Sequence, residues 1–500
     1  MNPKCRAILA VGSAAFAVAL LVGCGGNGGL GERFSSPPTG TVVVLGTDTP
    51  ACGVESFPLI ITSANLVAQS GGVSAPLITT TTPATVDFAR LTDFTNVVTT
   101  ANIPPGTYTG LQLNLAGSQL VTLNTGNSPP TPQAVPVTLG STSLLVPISP
   151  ALVVASNATT GLTIDFNLLA SVQFNASGQA TGAVSPQFTL TASGSSSSTL
   201  GEASALYGIA GTPSPGNALT GALGSFPLTV DDGTGQIYTV YVNGNTVIEG
   251  NGVTSLSQLA ANEFVEVDAD VSLGGQIVAR IVDVEGPTSV ANQQSALLGK
   301  VVSVTRDSSG NATAFTFLIV DALPVLQGLP AGSGNTGTAG TTLTATLAGT
   351  TQYFTNWGTW NQQSFTFGRQ TLGVAQNVAV FGTFSTNSPV QFAANQIFLR
   401  PQSVAGNYQV LQKVGSDGVT GGFTMNPCGG LFAGRTITAL SYPQTVLNGF
   451  NGLSYLTSTR SINTVGLLSY QQKDGTASTG GSWIAPTWVV QAREIHQLPF

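Results

Sequence analysis

Short runs in which apolar and polar side chains alternate recur along most of the chain, separated by glycine, proline and asparagine. The clearest run follows the turn-forming residues 104–106, where Leu111, Leu113 and Leu115 are separated by single polar residues. A period of two places alternate side chains on opposite faces of a strand, so this run predicts a half-buried strand. Many runs of this length, with turn residues between them, predict an all-β fold.

The predicted strands group into an N-terminal β-sandwich and three similar units. A serine-rich stretch closes the sandwich, and a unit of five or six strands then recurs at a spacing of about 90 to 110 residues. Five or six short strands suit a small Greek-key or OB-like β-barrel. The predicted divisions are a signal segment at 1–23, a flexible tether at 24–40, the sandwich at 41–192, a linker at 193–204, and barrels at 205–288, 296–402 and 405–500.

Composition supports this assignment. Charged residues make up 7% of the chain, whereas glycine occurs 61 times and proline 28 times. Helical surfaces are usually built from glutamate, lysine, arginine and glutamine, so a chain this poor in charge is not expected to be helical. Strands whose polar faces carry hydroxyl groups fit the composition better.

The net charge excludes one class of partner. The whole chain carries a formal charge of −7, and removal of Lys4 and Arg6 with the signal segment leaves 12 basic and 21 acidic side chains, or −9. Phosphate binding needs clustered lysine and arginine, and the sequence contains no such cluster. We therefore expect no nucleic-acid partner.

The N-terminus has the layout of an export signal. Lys4 and Arg6 precede an apolar run at 7–22 that is too short to predict a membrane span. The following Gly23-Cys24 resembles the lipobox of bacterial lipoproteins, a family in which the signal is cut before the cysteine and the cysteine is acylated. The resemblance implies a lipid anchor on Cys24, which would hold the protein to a membrane through its acyl chains.

The alternative is an ordinary secretory signal with a chance cysteine. Gly25, in place of an aspartate, favours the outer membrane by resemblance to lipoprotein sorting. The side of the membrane that the protein faces stays open.

Two further resemblances concern the folded part. The stretches that carry the first are 40–50 (GTVVVLGTDTP), 103–108 (IPPGTY), 162–166 (LTIDF) and 171–172 (SV). Through them, residues 41–192 resemble the domain-of-unknown-function 4382 family of bacterial and archaeal lipoproteins, which implies a β-fold in the cell envelope and brings no agreed catalytic residues. The first repeat resembles the domain-of-unknown-function 5666 family, from which the second departs by a long glycine- and threonine-rich insertion.

Two cysteines remain after Cys5 leaves with the signal and Cys24 takes the lipid. Cys52 and Cys428 lie in the first and last predicted domains. In an oxidising envelope they could pair and join these domains. Two separate buried thiols are equally compatible with the sequence.

Acidic residues alternate on two predicted strands of the first repeat. Their spacing places the carboxylates on one face and Val265, Val267 and Ala269 in the core. Five carboxylates on one patch could hold Ca²⁺, which favours several oxygen ligands. A flat strand face presents such ligands poorly, so the expectation is a solvated acidic face. The five residues are Glu266, Asp268, Asp270, Asp283 and Glu285.

An aromatic cluster offers a second candidate site. Trp357 and Trp360 flank a glycine, and Tyr353 precedes them. Aromatic rings beside asparagine and glutamine could stack on sugar rings. Packing in a core or between domains is the competing interpretation.

Most enzyme signatures are missing from the sequence. His496 is the single histidine, which excludes HExxH zinc sites and other sites with two histidines. There is no G-x-S-x-G nucleophile motif. The G-x-G-x-x-G match at 332–337 lacks a strand before it and a helix after it, so it is interpreted as a loop. We expect no cofactor.

Taken together, the sequence predicts a non-enzymatic, lipid-anchored envelope protein that acts as a binding or scaffold module. Its expected partners are the membrane and a glycan or another envelope protein. A carbohydrate-binding protein is one alternative. The other is a glycoside hydrolase, which needs only two suitably placed carboxylates and no histidine.

Overall fold

The computed structural model describes most of the chain after residue 37. The described residues are 38–49, 51–71, 75–91, 95–117, 119–124, 127, 130–176, 179–193, 199–216, 222–230, 237–287, 295–322, 341–355, 366–384, 392–428, 430–432, 434–457, 461–471 and 487–497. Cys24, the signal segment, Trp357, Trp360 and the 332–337 motif lie outside them.

The described residues are almost entirely β-structure, which confirms the predicted all-β fold class. The α-helix α1 covers only Leu168–Ser171, and its N-cap Asn167 accepts a hydrogen bond from the Ala170 amide at 2.8 Å. Short 3₁₀ turns lie at Phe88–Arg90, Gly430–Phe432 and Leu453–Tyr455. Within the described ranges, no helix has the length and apolar character needed to cross a membrane.

The N-terminal domain contains fifteen strands around one core. The strands are β1 (Gly40–Thr49), β2 (Val54–Ser56), β3 (Pro58–Ala68), β4 (Ala75–Ile78), β5 (Ala84–Asp87), β6 (Asn96–Ile103), β7 (Gly106–Gly117), β8 (Gln119–Asn124), β9 (Thr131–Pro136), β10 (Thr138–Leu139), β11 (Ser143–Val154), β12 (Thr159–Asn167), β13 (Val172–Phe174), β14 (Ala180–Val184) and β15 (Phe188–Ala192).

Nine of these strands form one sheet in the order β4-β3-β7-β11-β15-β12-β1-β6, with β5 paired to β3. The end strands β4 and β6 contact each other, so the sheet curls nearly back on itself. Two three-stranded sheets, β10-β14-β13 and β2-β8-β9, complete the domain. Leu111, Leu113 and Leu115 of β7 lie in the core, as their alternation predicts.

Three barrels follow, each built on five main strands. The first contains β16 (Thr199–Ala210), β17 (Ser214–Pro215), β18 (Ala222–Val230), β19 (Ile237–Asn243), β20 (Val247–Glu249), β21 (Glu263–Ser272) and β22 (Ile277–Pro287). The second contains β23 (Ser295–Arg306), β24 (Ala312–Ala322), β25 (Thr342–Thr355), β26 (Asn377–Phe384) and β27 (Phe392–Leu399). The third contains β28 (Pro401–Val414), β29 (Gly421–Pro427), β30 (Ile437–Asn448), β31 (Ser461–Gln471) and β32 (Thr487–Gln497).

All three barrels share one topology. The second closes in the order β23-β24-β25-β27-β26 and the third in the order β28-β29-β30-β32-β31. The first closes in the same way as β16-β18-β19-β22-β21, with β17 and β20 as additional short strands. In each barrel the third and fifth main strands are parallel and the other pairs antiparallel. This is the small Greek-key, OB-like barrel that the repeats predict.

The N-terminal domain is attached to the barrels through both apolar and covalent contacts. Strand β1 is buried on both faces, because Val42 and Val44 lie in its own domain's core while Val43 and Leu45 pack with the core of the first barrel. A two-sided environment explains why this strand is a continuous apolar run in the sequence. Cys52 and Cys428 form a disulfide that connects this domain to the third barrel, with a Cα–Cα distance of 5.4 Å.

The disulfide closes a sequence separation of 376 residues. Because a cross-link over a long loop restricts the unfolded chain strongly, Cys428→Ser is expected to lower the free energy of unfolding by about 2–5 kcal/mol. Chemical denaturation under non-reducing conditions measures the loss. Cys52→Ser and the double variant should lose the same amount as Cys428→Ser, and unchanged stability in all three would contradict the prediction.

Candidate functional site in a buried carboxylate and arginine cluster

The acidic residues of the first barrel form a row across neighbouring strands. Glu266 of β21 lies directly opposite Asp283 of β22, and Asp283 lies opposite Glu249 of β20. On the other side of Glu266, Tyr207 of β16 continues the row. Like charges directly opposite on adjacent strands are unfavourable, so this row requires compensation from elsewhere in the molecule.

The alternation on β21 was predicted correctly, but the environment of its polar face was not. Val265, Val267 and Ala269 point into the barrel core. The carboxylates on the outer face are nevertheless buried, with residual exposures of 7% for Glu266 and 8% for Asp268. The expectation of a solvated acidic face is therefore wrong, because other barrels cover the outside of the first barrel here.

Arg400 supplies the main counter-charge. It lies between β27 and β28, at the junction of the second and third barrels, and is 3% exposed. One guanidinium nitrogen, Nη1, donates a hydrogen bond to Oε1 of Glu285, and Nη2 forms an ion pair with Oε2 of Glu266 at 2.8 Å. The guanidinium carbon also lies 4.2 Å from the centre of the Tyr207 ring, a cation–π contact.

Arg493 compensates the next carboxylate on β21. This arginine belongs to β32 of the third barrel, and its Nη1 lies 2.5 Å from Oδ2 of Asp268. Its Nε also lies 3.4 Å from Glu494, whose carboxylate is 3.3 Å from the His496 ring. Arg400 and Arg493 therefore connect the acidic face of the first barrel to residues that begin and end the third barrel.

Asp270, the last carboxylate on β21, lies at the edge of this face. It forms an ion pair with Arg280 at 3.3 Å, and the same arginine contacts Glu202 at 2.9 Å. The Asp270 side chain is 35% exposed. Exposed pairs of this kind contribute little to stability, so Asp270 is separate from the buried cluster in its energetics.

An aromatic layer borders the cluster. Phe264 of the first barrel packs with Phe381 and Phe398 of the second, with ring centres 5.7 Å apart for Phe264 and Phe381. Phe354 stacks on Phe398 at 4.7 Å, with the rings nearly parallel. In such surroundings an unpaired charge is costly, whereas a paired charge interacts strongly.

Burial changes the protonation of the cluster. It raises the pKa of the Glu266 carboxyl, and neighbouring Asp268 adds to the rise while Arg400 opposes it. It raises the pKa of Asp283 well above the usual value, and the Glu266 carboxylate adds to that rise. Burial alone would lower the pKa of Arg400, but the carboxylates around it, Glu266 first, raise it, so this arginine stays charged.

A cleft opens beside the cluster, between the first and second barrels. Its volume is about 540 Å³, within the range of small-molecule sites. The first barrel contributes the turn after β20, in which three successive residues have positive φ angles. The second barrel contributes the end of β25. The lining residues are Glu249, Gly250, Asn251, Gly252, Gln352, Phe354 and Thr355.

The aromatic candidate site is described only in part. Tyr353 is half-buried, and its ring meets Phe367 edge-on with centres 5.7 Å apart. Burial raises the pKa of its hydroxyl to about 12. The ring therefore packs within the second barrel, while its neighbour Phe354 lines the cleft.

Sequence reasoning missed Arg400, Arg493 and Tyr207. Arg400 is separated by 115 residues from its partner Glu285, so no local pattern connects them. One signal was available: the chain has only 14 lysines and arginines, and a row of acidic residues on a strand needs some of them nearby.

The fold and the cluster define a multidomain all-β protein whose OB-like repeats bury charged faces against each other. Residues 39–181 match the model of a family described as Domain of unknown function (DUF4382), which confirms the resemblance predicted for the N-terminal domain. No curated protein is similar enough to the chain to count as a relative.

Among solved structures, the chain is similar to a Drosophila protein described as "drosophila Unr CSD456". The two share 9% sequence identity at a TM-score of 0.14, and the match covers 60% of this chain and 98% of that chain. An overlap at this score carries no argument about fold or function.

Replacement of Arg400 by methionine should be strongly destabilising, because it leaves Glu266, Asp283 and Glu285 buried without their counter-ion. We expect a loss of about 3–5 kcal/mol at pH 7. Arg280→Met, which removes the exposed pairs with Glu202 and Asp270, is the matched control and should cost less than about 1 kcal/mol. Chemical denaturation of both variants measures the difference.

The loss in Arg400→Met should shrink as the pH falls from 7 to 5. Carboxyls whose pKa is raised by folding destabilise the native state above that pKa and cease to do so once protonated. The charged and titratable groups around them are Glu249, Asp268, Tyr207, Arg400 and Arg493. Equal losses of unfolding free energy in the Arg400 and Arg280 variants at all pH values would contradict this prediction. They would show that repulsion among the buried carboxylates does not destabilise the folded protein.

Proposed function

We propose that the protein is a lipid-anchored, non-enzymatic binding or scaffold module of the bacterial cell envelope. The observation that carries this proposal is the Cys52–Cys428 disulfide, because disulfides form and persist in oxidising compartments such as the envelope. The export-like N-terminus with Cys24 and the family match over 39–181 support the same placement.

The domain contacts favour a scaffold. The disulfide joins the first and last domains, Lys300 of the second barrel pairs with Glu55 of the N-terminal domain at 2.5 Å, and Arg400 joins the barrels. Each contact restricts the relative motion of the domains that their short linkers would otherwise allow. A body fixed in this way presents its surfaces in a constant geometry, which suits a binding or spacing role.

Replacement of Cys24 by serine tests the anchor. In a bacterium with an outer membrane, we expect the wild-type protein in the membrane fraction, released only by detergent, and Cys24→Ser in the soluble envelope fraction. Cys5→Ser, within the signal segment, is the matched control and should fractionate like the wild type. Membrane partitioning of Cys24→Ser would place the anchor elsewhere.

Glycan binding is the second candidate, and the cleft favours it. Phe354 offers an apolar surface, while Glu249, Asn251 and Gln352 offer hydrogen-bonding groups around it. Sugars combine apolar ring faces with hydroxyl groups, so a cleft of mixed lining suits them. Trp357 and Trp360 follow this segment in the sequence and are its candidate stacking residues, with packing in a core or between domains as the competing interpretation.

A glycan array followed by titration tests this candidate. Gln352→Ala and Phe354→Ala are expected to weaken binding about fivefold or more, through the loss of hydrogen-bonding and ring contacts. Val410→Ala, on an exposed position of the third barrel, should leave binding unchanged. Absence of binding by the wild type, or equal binding by all variants, would remove the cleft as a sugar site.

The glycoside hydrolase remains the weaker alternative. Its chemistry requires two carboxylates that reach a scissile bond in a groove. The carboxylates of Glu266, Asp283 and Glu285 converge, but they are covered by the second and third barrels. The cluster therefore offers no support for polysaccharide hydrolysis.

A further inference from the structure

Three carboxylates of the first barrel converge on one point. One oxygen each from Glu266, Asp283 and Glu285 lies within 4.8 Å of the others. Their residual exposures are 7%, 5% and 1%. Glu266 faces Asp283 across the β21–β22 pair, and Glu285 is the extra residue of a bulge on β22, between Val284 and Gly286.

Two of the carboxylates have oxygens whose hydrogen-bonding capacity is unused. Oδ1 of Asp283 and Oε2 of Glu285 are buried and accept no hydrogen bond from any residue in the described part of the chain. Buried polar atoms nearly always have a partner, so two such oxygens in one cluster point to a missing one. The missing partner is clearer for Asp283 than for Glu285, because Arg400 forms its close ion pairs with Glu266 and Glu285.

The charges of the cluster do not balance. In the described part of the chain, Arg400 forms ion pairs with Glu266 and Glu285, and Arg493 pairs with Asp268. With all three carboxylates ionised, the cluster carries an excess of two negative charges. Excess buried charge is costly, so the cluster favours either protons or a divalent cation.

The spacing suits calcium. Ca²⁺ binds oxygens at about 2.3–2.6 Å, so two of its ligands can be about 5 Å apart at most, whereas Mg²⁺ limits them to about 4.2 Å. The cleft lies next to the cluster, because Gly250 packs directly against Asp283. A Cβ atom on Gly250 would lie only 2.9 Å from Oδ1 of Asp283. Glu249, which lines the cleft, lies opposite Asp283 on the neighbouring strand and is a further carboxylate beside the cluster.

We propose that Glu266, Asp283 and Glu285 bind a divalent cation, with Ca²⁺ preferred to Mg²⁺ because Ca²⁺ accepts an irregular set of carboxylate oxygens whereas Mg²⁺ demands near-ideal octahedral geometry. The ion would neutralise the excess charge at the place where Arg400 joins the first barrel to the other two. This inference does not depend on the proposed envelope function, and its test is separate from those of the anchor and the cleft.

Titration of the full secreted chain with metal tests the proposal. The protein is stripped with EDTA, dialysed at pH 7.5 and titrated calorimetrically with CaCl₂ or MgCl₂. We expect one strong calcium site, weaker binding of magnesium, and a rise in melting temperature of about 5 °C at saturating calcium. Asp283→Asn should lose both effects. Asp270→Asn, on the same strand face but in the exposed pair with Arg280, is the matched control and should keep both.

Two results would overturn the proposal. The first is no calcium binding by the wild type. A melting temperature of Asp283→Asn at or above that of the wild type would then indicate that protons, and not a metal ion, neutralise the cluster. The second is an equal loss in Asp283→Asn and Asp270→Asn, which would indicate diffuse attraction of calcium to the acidic surface. Glu285→Gln provides a second variant, with the same expected loss, should Asp283→Asn fail to fold.

Discussion

The burial of the Arg400 guanidinium against the carboxylates of the first barrel is the interaction on which the arrangement of the three barrels depends. Arg400 occupies the junction between β27 and β28, so its position is coupled to the second and third barrels at once. Glu266 and Glu285 belong to the first barrel. Once these charges are buried, separation of the barrels would require rehydration of the whole cluster, and separation of only one partner would leave a charge unpaired in an apolar environment.

The outer faces of the barrels therefore pack against one another. Phe264, Phe381 and Phe398 form a small apolar core between the first and second barrels, and Arg493 brings the third barrel to Asp268. The N-terminal domain joins the same assembly through β1 and the disulfide. A chain with few charges can hold its domains in this way because each buried ion pair acts in dry surroundings, where electrostatic interactions are strong.

The sequence predicted the elements well because strand alternation and turn residues are local signals. The inward-facing residues of β7 and β21 and the three repeats could be inferred in this way. The match of residues 39–181 to a family model was predicted from a resemblance of short stretches and not from alternation. Alternation shows which side chains point away from a barrel's own core, but it does not show whether another domain covers those side chains. The acidic face was therefore predicted to be exposed to solvent. Arg400 and Arg493 were missed because they are distant from the acidic residues in the sequence. Spacing alone also left open whether Cys52 and Cys428 pair, because that depends on how the first and last domains meet.

A double-mutant cycle between Arg400 and Glu285 tests the central claim most directly. The free energy of unfolding is measured at pH 7 for the wild type, Arg400→Met, Glu285→Gln and the double variant. A buried ion pair predicts that the two single changes are strongly coupled, with an interaction energy of about 2–3 kcal/mol and a double variant that is less destabilised than their sum. Additivity within about 0.5 kcal/mol would contradict the account, because it would mean that Arg400 and Glu285 do not depend on each other in the folded protein.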